Sequence, residues 1–445
     1  MMSIADRCQI RGGWPPSIVY SLVLCIVLAA PVGTCGPVWS QTAPGSSAPA
    51  GPATPDRSAP PAPPPTPNNS GTGSGGQSPA EQPEEPHAQG VQGYVWSFPA
   101  MGTIVTFKTF HHDPALVEQV FRQAEALVHE LDDILTDYEP NSETRLLSQR
   151  AVDRPALVSD PLWDVLSASD AWHSRSGGAV DPAIGSLTRL WRKYRGTRRW
   201  PNQAAISQAL RNSGWRHVHL DPEAKTVHLD RPVQFDFGAI GKGYAVDRAF
   251  ELLERFGLRR SLVNISGNMR LGDPPPDRPG WRIELAPLDP GGRGLGRVIL
   301  SNTSIATSGD LWQAREIQGV RRSHILDPRT GWGVAGPRSA TAITRLAIDA
   351  DALATAGCIL PPDDALHLAN SIGAQLLLAR RSASTVELHR TEDFPRLTSP
   401  TSDAPAEVPP ADDVPPQPTE PGPSDPNPAA QQPSGSDRQP GKNDG

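Results

Sequence analysis

The sequence predicts an α+β domain of mixed sheets with packed helices, held between two proline-rich segments. Three observations lead there. Some stretches repeat apolar residues at helical spacing while others alternate them at strand spacing. The two kinds of stretch follow one another without strict alternation, which favours α+β over a doubly wound sheet. The chain carries 50 prolines and 40 glycines, and its prolines gather towards the two ends. Residues 93–395 remain as the folded part, about 300 residues, enough for one large domain or two closely packed lobes.

Within that part, Val95–Phe110 alternates as a strand or hairpin, interrupted at Pro99-Ala100-Met101-Gly102. From Leu116 to Leu135 apolar residues recur at helical spacing, and Asp113-Pro114 supplies the helix start. Asp160–Ser176 is a second helix broken by Gly177-Gly178, and Gln203–Arg211 a short third. His217–Leu220 and Thr226–Leu229 alternate across Asp221-Pro222, which predicts a hairpin. Val233–Phe235 reads as a short strand entering a glycine-rich turn, and Ala245–Phe256 as a helix stopped by Gly257. Ser261–Ile265, Trp281–Leu285, Val298–Leu300 and Ser339–Thr344 read as strands. Asp349–Leu360 is a helix ended before Pro361-Pro362, and Ala374–Ala379 with Thr385–His389 form a last strand pair.

The ends speak to location. Arg7 and Arg11 precede an apolar run from Ile18 to Ala30, too short for a comfortable membrane span and matched to a signal peptide, so residues 1–40 are expected to be a leader. Val38-Trp39-Ser40 offers small residues for cleavage, while Val32-Gly33-Thr34-Cys35 is a partial lipobox that opens a lipid-anchored route. Residues 41–92 and 396–445 have almost no large apolar side chains and are expected to be disordered tethers. The domain is thus expected in the periplasm or cell envelope. Cys358 is the one cysteine of the folded part, which rules out a disulfide framework within it. A net charge of −7, with no basic stripe interleaved with aromatics, argues against nucleic acid as a partner. Arg192, Lys193, Arg195, Arg198 and Arg199 read as a solvated face.

Four segments are richer in Gly, Asp and Thr than packing requires. In Asp236-Phe237-Gly238-Ala239-Ile240-Gly241-Lys242-Gly243 a loosened turn leads into a helix, whose N–H groups and partial positive charge suit a phosphate; an ordinary tight turn is the other reading. Asp351 and Thr355 lie four apart on one helical face, an oxygen pair that suits Mg²⁺; from the residues alone, a helix-start carboxylate with a back-bonded threonine is the favoured reading. His324, ahead of the turn Asp327-Pro328-Arg329-Thr330-Gly331, is either a general base or a structural histidine. Gly177–Gly185 is another glycine turn carrying an acid, Asp181. No Gly-x-Ser-x-Gly elbow occurs, and His111-His112 has no companion at metal-site spacing.

Taken in order, these segments resemble the ApbE family of FAD:protein FMN transferases. The resemblance runs through Met101-Gly102-Thr103, Tyr138-Glu139-Pro140-Asn141-Ser142-Glu143, Gly178–Pro182, Asp236–Asp247, Ser308-Gly309-Asp310, His324–Gly331 and Ala350–Ala356. It implies that Met101, Tyr138, Ala179, Val180, Asp181, Asp236, Lys242 and Ile325 line an FAD site. It also implies that Ala239, through its backbone oxygen, Asp351 and Thr355 bind Mg²⁺. The implied reaction moves FMN from FAD to a Ser or Thr hydroxyl of an acceptor flavoprotein and releases AMP, with His324 as the candidate base. A Mg²⁺-dependent FAD pyrophosphatase and an FAD-binding protein without turnover are the alternatives. The chain departs from the family pattern at Ser266, where glycine is usual, at Gly241, where alanine is usual, and at Asp310-Leu311, which precede Trp312 where an aromatic is often expected.

Overall fold

The computed structural model describes residues 90–398, apart from 312, 383 and 384. The leader, nearly all of the N-terminal tether and the C-terminal tether beyond Thr398 lie outside the described residues. The chain runs β1 (Gln92–Ala100), β2 (Thr103–His111), α1 (Pro114–Leu135), α2 (Glu143–Arg150), β3 (Ala156–Leu157), α3 (Asp160–Arg175), α4 (Gly185–Lys193), α5 (Gln203–Arg211), β4 (Val218–Asp221) and β5 (Thr226–Leu229). It continues α6 (Gly241–Arg255), β6 (Ser261–Ile265), β7 (Asn268–Leu271), β8 (Trp281–Leu285), β9 (Gly296–Leu300), β10 (Thr303–Gly309), β11 (Arg315–Ile317) and β12 (Val320–Arg322). The last elements are β13 (Arg338–Thr344), α7 (Ala347–Ile359), α8 (Pro362–Ser371), β14 (Gln375–Ser382) and β15 (Thr385–Arg390).

The α+β class is as the sequence predicts. An eight-stranded sheet, ordered β1-β2-β6-β7-β10-β13-β14-β15, forms the centre. Where mixed sheets were expected, every ladder among the described residues is antiparallel. Strand alternation divides the core in two. Val263, Ala306, Ala342, Leu376 and Leu378 join the large cluster formed with α1, α6 and α7. Their neighbours Leu262, Ile305, Ile343 and Leu377 face Trp281, Ile283 and Val298 of the β8–β9 hairpin on the other side. A satellite cluster of Leu187, Ile206, Ala209 and Leu326 joins α4 and α5 to the turn after His324.

Several elements follow directly from local chemistry. Asp113 caps α1 by accepting from the N–H groups of Ala115 and Leu116, with Pro114 at its first position. The interruption after Pro99 is a two-residue hairpin turn in which Met101 and Gly102 both have positive φ, 52° and 67°. Other expectations are corrected. Val233–Phe235 is not a strand: Val233 and Phe235 are core residues, but the backbone runs beside the loop before α4, with Gly185 donating to the Gln234 carbonyl and Asp236 to that of Pro182. The helix expected from Ala245 begins four residues earlier, at Gly241, so the glycine-rich turn includes its first turn. Sequence patterning gave no sign of β7, β10, α2, α4 or α8. At its end the fold reaches past Pro395: Thr398 pairs with Arg297 through two backbone hydrogen bonds of 3.0 Å.

The α6–α7 contact positions the site. Gly243 makes it possible, because a Cβ there would lie 2.3 Å from the Ala347 carbonyl oxygen. On its other side α7 presents alanines to Ala340 and Ala342 of β13 and Ala306 of β10, and a Cβ on Gly357 would come within 2.9 Å of that of Ala340. Small side chains therefore press α7 onto the middle of the sheet.

Candidate active site

Asp351 lies at the junction of α6 and α7, 2% exposed. Its Oδ2 accepts from the Gly243 N–H at 3.0 Å and stands 3.7 Å from Lys242 Nζ. Lys242 also donates to the Gly238 carbonyl at 2.7 Å. Burial pushes the Asp351 carboxyl above its ordinary range, against the opposing pull of Lys242 and the Gly243 N–H. A carboxylate whose desolvation is incompletely compensated is a place for a cation. The other donors nearby are also oxygens. Thr355 follows one helical turn later, its hydroxyl 3.3 Å from that of Ser308 on β10. Gly243 turns its N–H to Asp351 instead of to the carbonyl four residues back, so the helix does not consume the Ala239 oxygen. A carboxylate, a hydroxyl and a carbonyl form a hard donor set that fits Mg²⁺.

Both helix starts near Asp351 lack a capping side chain of their own. Asp247, inside α6, takes that role for α7: its oxygens accept from the N–H groups of Ala347 and Ile348, each at 2.9 Å, and Arg270 pairs with it at 2.9 Å. Two positive helix ends therefore meet beside Lys242, and that is a setting for an anion.

A second group lies ahead of α6. Asp236 accepts from the Gly238 N–H at 2.8 Å and from Arg192 at 2.8 Å. The same guanidinium reaches Asp137 and lies 4.3 Å from the centre of the Tyr138 ring. Arg192 is thus no member of a solvated face, correcting that expectation for this residue. It joins two carboxylates and backs one face of Tyr138, leaving the ring 61% exposed for stacking.

The remaining predicted residues are placed as follows. Met101 sits on the β1–β2 turn, its N–H donating to Asp132 at 2.6 Å. Ala179 and Val180 are buried in the large core, with Val180 N–H held by the Ser176 hydroxyl, so they face any ligand through backbone alone. Asp181 accepts from the N–H groups of Ala183 and Trp215, at 2.9 and 3.1 Å, and lines a cavity of about 330 Å³ with Arg211, Arg216 and Arg329. Among the described residues, no hydrogen bond or ion pair joins that cavity's lining to Asp351 or Lys242. Ile325 is buried, its N–H held by Ser323 Oγ at 3.0 Å. His324 beside it is exposed. Loss of hydration, then Lys242 and Arg195, push its pKa down to about 4, while Asp236 pulls the other way. Its exposure tempers the depth of that shift, not its direction, and the ring is neutral at pH 7. The third turn is fixed from below, where Trp191 Nε1 donates to the Gly331 carbonyl at 3.0 Å.

Sequence reasoning missed Arg192, Asp137 and Asp247 as parts of this assembly. Asp247 closes the glycine-rich segment one turn inside α6, a place where a buried aspartate needs donors from elsewhere; that was the available signal.

Known proteins share this chain's pattern. It is 30% identical to an FAD:protein FMN transferase of Klebsiella pneumoniae over 262 residues, 58% of this chain and 79% of that protein. It is 29% identical to one from Vibrio cholerae over 282 residues, 62% of this chain and 84% of that one. The solved Pseudomonas stutzeri flavinyl transferase ApbE superposes with a TM-score of 0.61 at 28% identity, covering 68% of this chain and 95% of that one. The Vibrio cholerae flavin transferase ApbE has the same fold, with a TM-score of 0.62 at 23% identity over 68% of this chain and 98% of that one. The ApbE family profile matches residues 101–378, from the turn at Met101 into β14, and so encloses Tyr138, Asp236, Lys242, His324, Asp351 and Thr355: the chain belongs to the ApbE family.

Proposed function

We propose that this chain transfers the FMN half of FAD to a Ser or Thr hydroxyl of an acceptor flavoprotein, using Mg²⁺ held by Asp351, Thr355 and the Ala239 carbonyl. The observation that carries this reading is the meeting of two helix N-termini at Asp351 and Lys242, which suits a pyrophosphate together with a cation. Relatives named FAD:protein FMN transferase support it. Bound there, Mg²⁺ supplies charge neutralisation at the pyrophosphate and eases departure of AMP.

The chain's own groups do the rest. Tyr138 offers its open face to the isoalloxazine, with Arg192 fixing the ring from behind. Asp236 accepts polar groups of the flavin nucleotide, and Lys242 holds the pyrophosphate. The acceptor hydroxyl oxygen bonds to the FMN phosphorus as the bond to the AMP oxygen breaks. Its proton passes to a ring nitrogen of His324, which is neutral and able to take it. Orientation and fixed charge supply most of the acceleration. The same proposal puts the enzyme in the periplasm or cell envelope, exported by its leader, with Cys35 as a lipid tether where that cysteine is processed.

The test uses the chain with FAD, Mg²⁺ and an exported flavoprotein bearing a Ser/Thr flavinylation site. Acceptor mass and AMP release are read, with EDTA and Asp351→Ala as controls. Gain of one FMN, lost in both controls, is the expected result. AMP and free FMN without labelling would favour a pyrophosphatase, and tight FAD binding without cleavage a binding protein.

A further inference from the structure

The β4–β5 hairpin stands outside the site just described. In its register His219 faces His228 across the ladder, while Val218 pairs with Leu229 and Leu220 with Val227. Val218, Val227 and Leu229 face the core. Alternation therefore puts His219 and His228 together on the outer face, and Asp230, two residues after His228, joins them. The two imidazole rings stack at 6.0 Å between centroids, 28° apart. Asp230 Oδ1 lies 2.8 Å from His219 Nε2. One ligand atom from each of the three residues lies within 4.8 Å of the others.

We infer that His219, His228 and Asp230 form a binding site for a late first-row divalent cation such as Zn²⁺. Two imidazoles beside a carboxylate suit Zn²⁺, whereas Mg²⁺ takes oxygen donors and not imidazole nitrogens. With Zn–N and Zn–O bonds near 2.0–2.1 Å, tetrahedral ligand atoms sit about 3.3 Å apart, so the widest gap closes by about 1.5 Å or less while the His219–Asp230 contact opens by about 0.5 Å. Exposed side chains on a hairpin make that adjustment readily: His219 is 54% and Asp230 48% open. The fourth position falls to water. His217, in the turn just before β4, sits beside the site with Nδ1 3.7 Å from Asp230 Oδ2. Its Nε2 is buried and has no hydrogen-bond partner among the described residues.

The hairpin supplies none of the residues assigned to transfer, so the site is tested separately. Co²⁺ alone is titrated into the full chain freed of metal, followed by its visible absorption, and then displaced with Zn²⁺. One equivalent is expected to bind, with affinity falling at least tenfold in His219→Gln and in His228→Gln and further in the pair. Binding should persist in Asp351→Asn and in a His111→Gln/His112→Gln variant, and circular dichroism should be unchanged by the exposed His219→Gln substitution. Absence of Co²⁺ binding at micromolar concentration overturns the inference, as does binding that survives the paired His219/His228 substitution made in Asp351→Asn, where the proposed Mg²⁺ site no longer contributes.

Discussion

Asp247 and Asp351 cap each other's helices. Asp351, on α7, accepts from Gly243 in the first turn of α6, and Asp247, on α6, accepts from Ala347 and Ile348 in the first turn of α7. Each carboxylate thereby removes an orphan donor that its partner helix cannot satisfy. The pairing fixes the angle at which two positive helix ends meet. It also leaves the two acids with different work, since Arg270 compensates Asp247 at 2.9 Å while Asp351 has only Lys242 at 3.7 Å.

Exchanging the two acids should therefore separate stability from chemistry. Asp247→Ala strands two N–H groups and a guanidinium, and should lower unfolding stability by about 3–5 kcal/mol in urea titrations. Asp351→Asn keeps the shape and an acceptor for Gly243 and should fold normally. Its AMP release should fall about 100-fold or more, the scale of losing a fixed charge in a reaction site. Equal stability losses in both variants would sink the distinction.

Gly243 and Gly241 look interchangeable in sequence but should respond oppositely to alanine. At Gly243 the added Cβ meets backbone of α7 at 2.3 Å, which cannot retreat without moving Asp351. Gly243→Ala should cost about 1–3 kcal/mol and reduce transfer as well. At Gly241 the nearest atom is Phe237 Cβ at 3.3 Å. There the tight contact is offset by a helix-propensity gain of about 0.8–1 kcal/mol, so Gly241→Ala should stay within about 1 kcal/mol of the parent in thermal melts.

Arg192 holds three groups at once, so no single substitution preserves its work. Burial and then the charge of Asp236 already raise the Asp137 carboxyl, with Arg192 pulling it back. Arg192→Met leaves those acids uncompensated and removes the support behind Tyr138. FAD affinity should weaken about tenfold, roughly the 1.4 kcal/mol within reach of a partly desolvated cation–π contact. Arg192→Lys should behave nearly as badly, because one ammonium cannot fork to two carboxylates. Flavin fluorescence quenching gives the dissociation constants, and unchanged values would remove Arg192 from the site.

What the sequence revealed depended on how local the cause was. That Asp351 and Thr355 share one face of a helix was legible from spacing alone, and the alanines around them announced a close approach; their role as cation ligands came only with the resemblance. The start of α1 was legible because Asp113 caps its own helix. Asp247 was opaque because the N–H groups it serves lie 100 and 101 residues away. Arg192 was hidden in a run of basic residues, where composition suggests a wet surface and only the fold brings Asp137 and Asp236 to it. β10 is central in the sheet, yet its Thr-Ser-Ile-Ala-Thr-Ser-Gly reads as a loop, because α7 packs so closely that the strand must carry small side chains. Val233–Phe235 misled in the other direction, since burial without a ladder leaves the same apolar alternation as a strand.

Ser266 occupies a glycine conformation, with φ of 53°, in the β6–β7 turn whose next residue, Gly267, has φ of 89°. A side chain there costs about 1 kcal/mol or more, partly returned by the lower entropy of serine in the unfolded chain. Ser266→Gly should raise unfolding stability by up to about 1 kcal/mol and leave transfer unaltered. A destabilised variant would mean that the serine hydroxyl makes up for the strain.

His324 gives the pH dependence. Its folded pKa lies below the ordinary 6.5, so between about 6.5 and about 4 the unfolded chain binds the proton and the folded chain does not. Stability should therefore fall as pH drops through that window, and the fall should be smaller in His324→Asn, measured as the difference between the two urea midpoints at each pH. Under the proposed mechanism the same neutral ring accepts the acceptor's proton. His324→Asn should lower kcat about 10²–10⁴-fold with little change in the KM for FAD. In the parent, binding the anionic pyrophosphate beside Lys242 masks the charge that depresses the ring, so the acidic limb of kcat should lie at higher pH than that of kcat/KM. A full rate in the asparagine variant would assign the proton transfer elsewhere and leave His324 a structural residue.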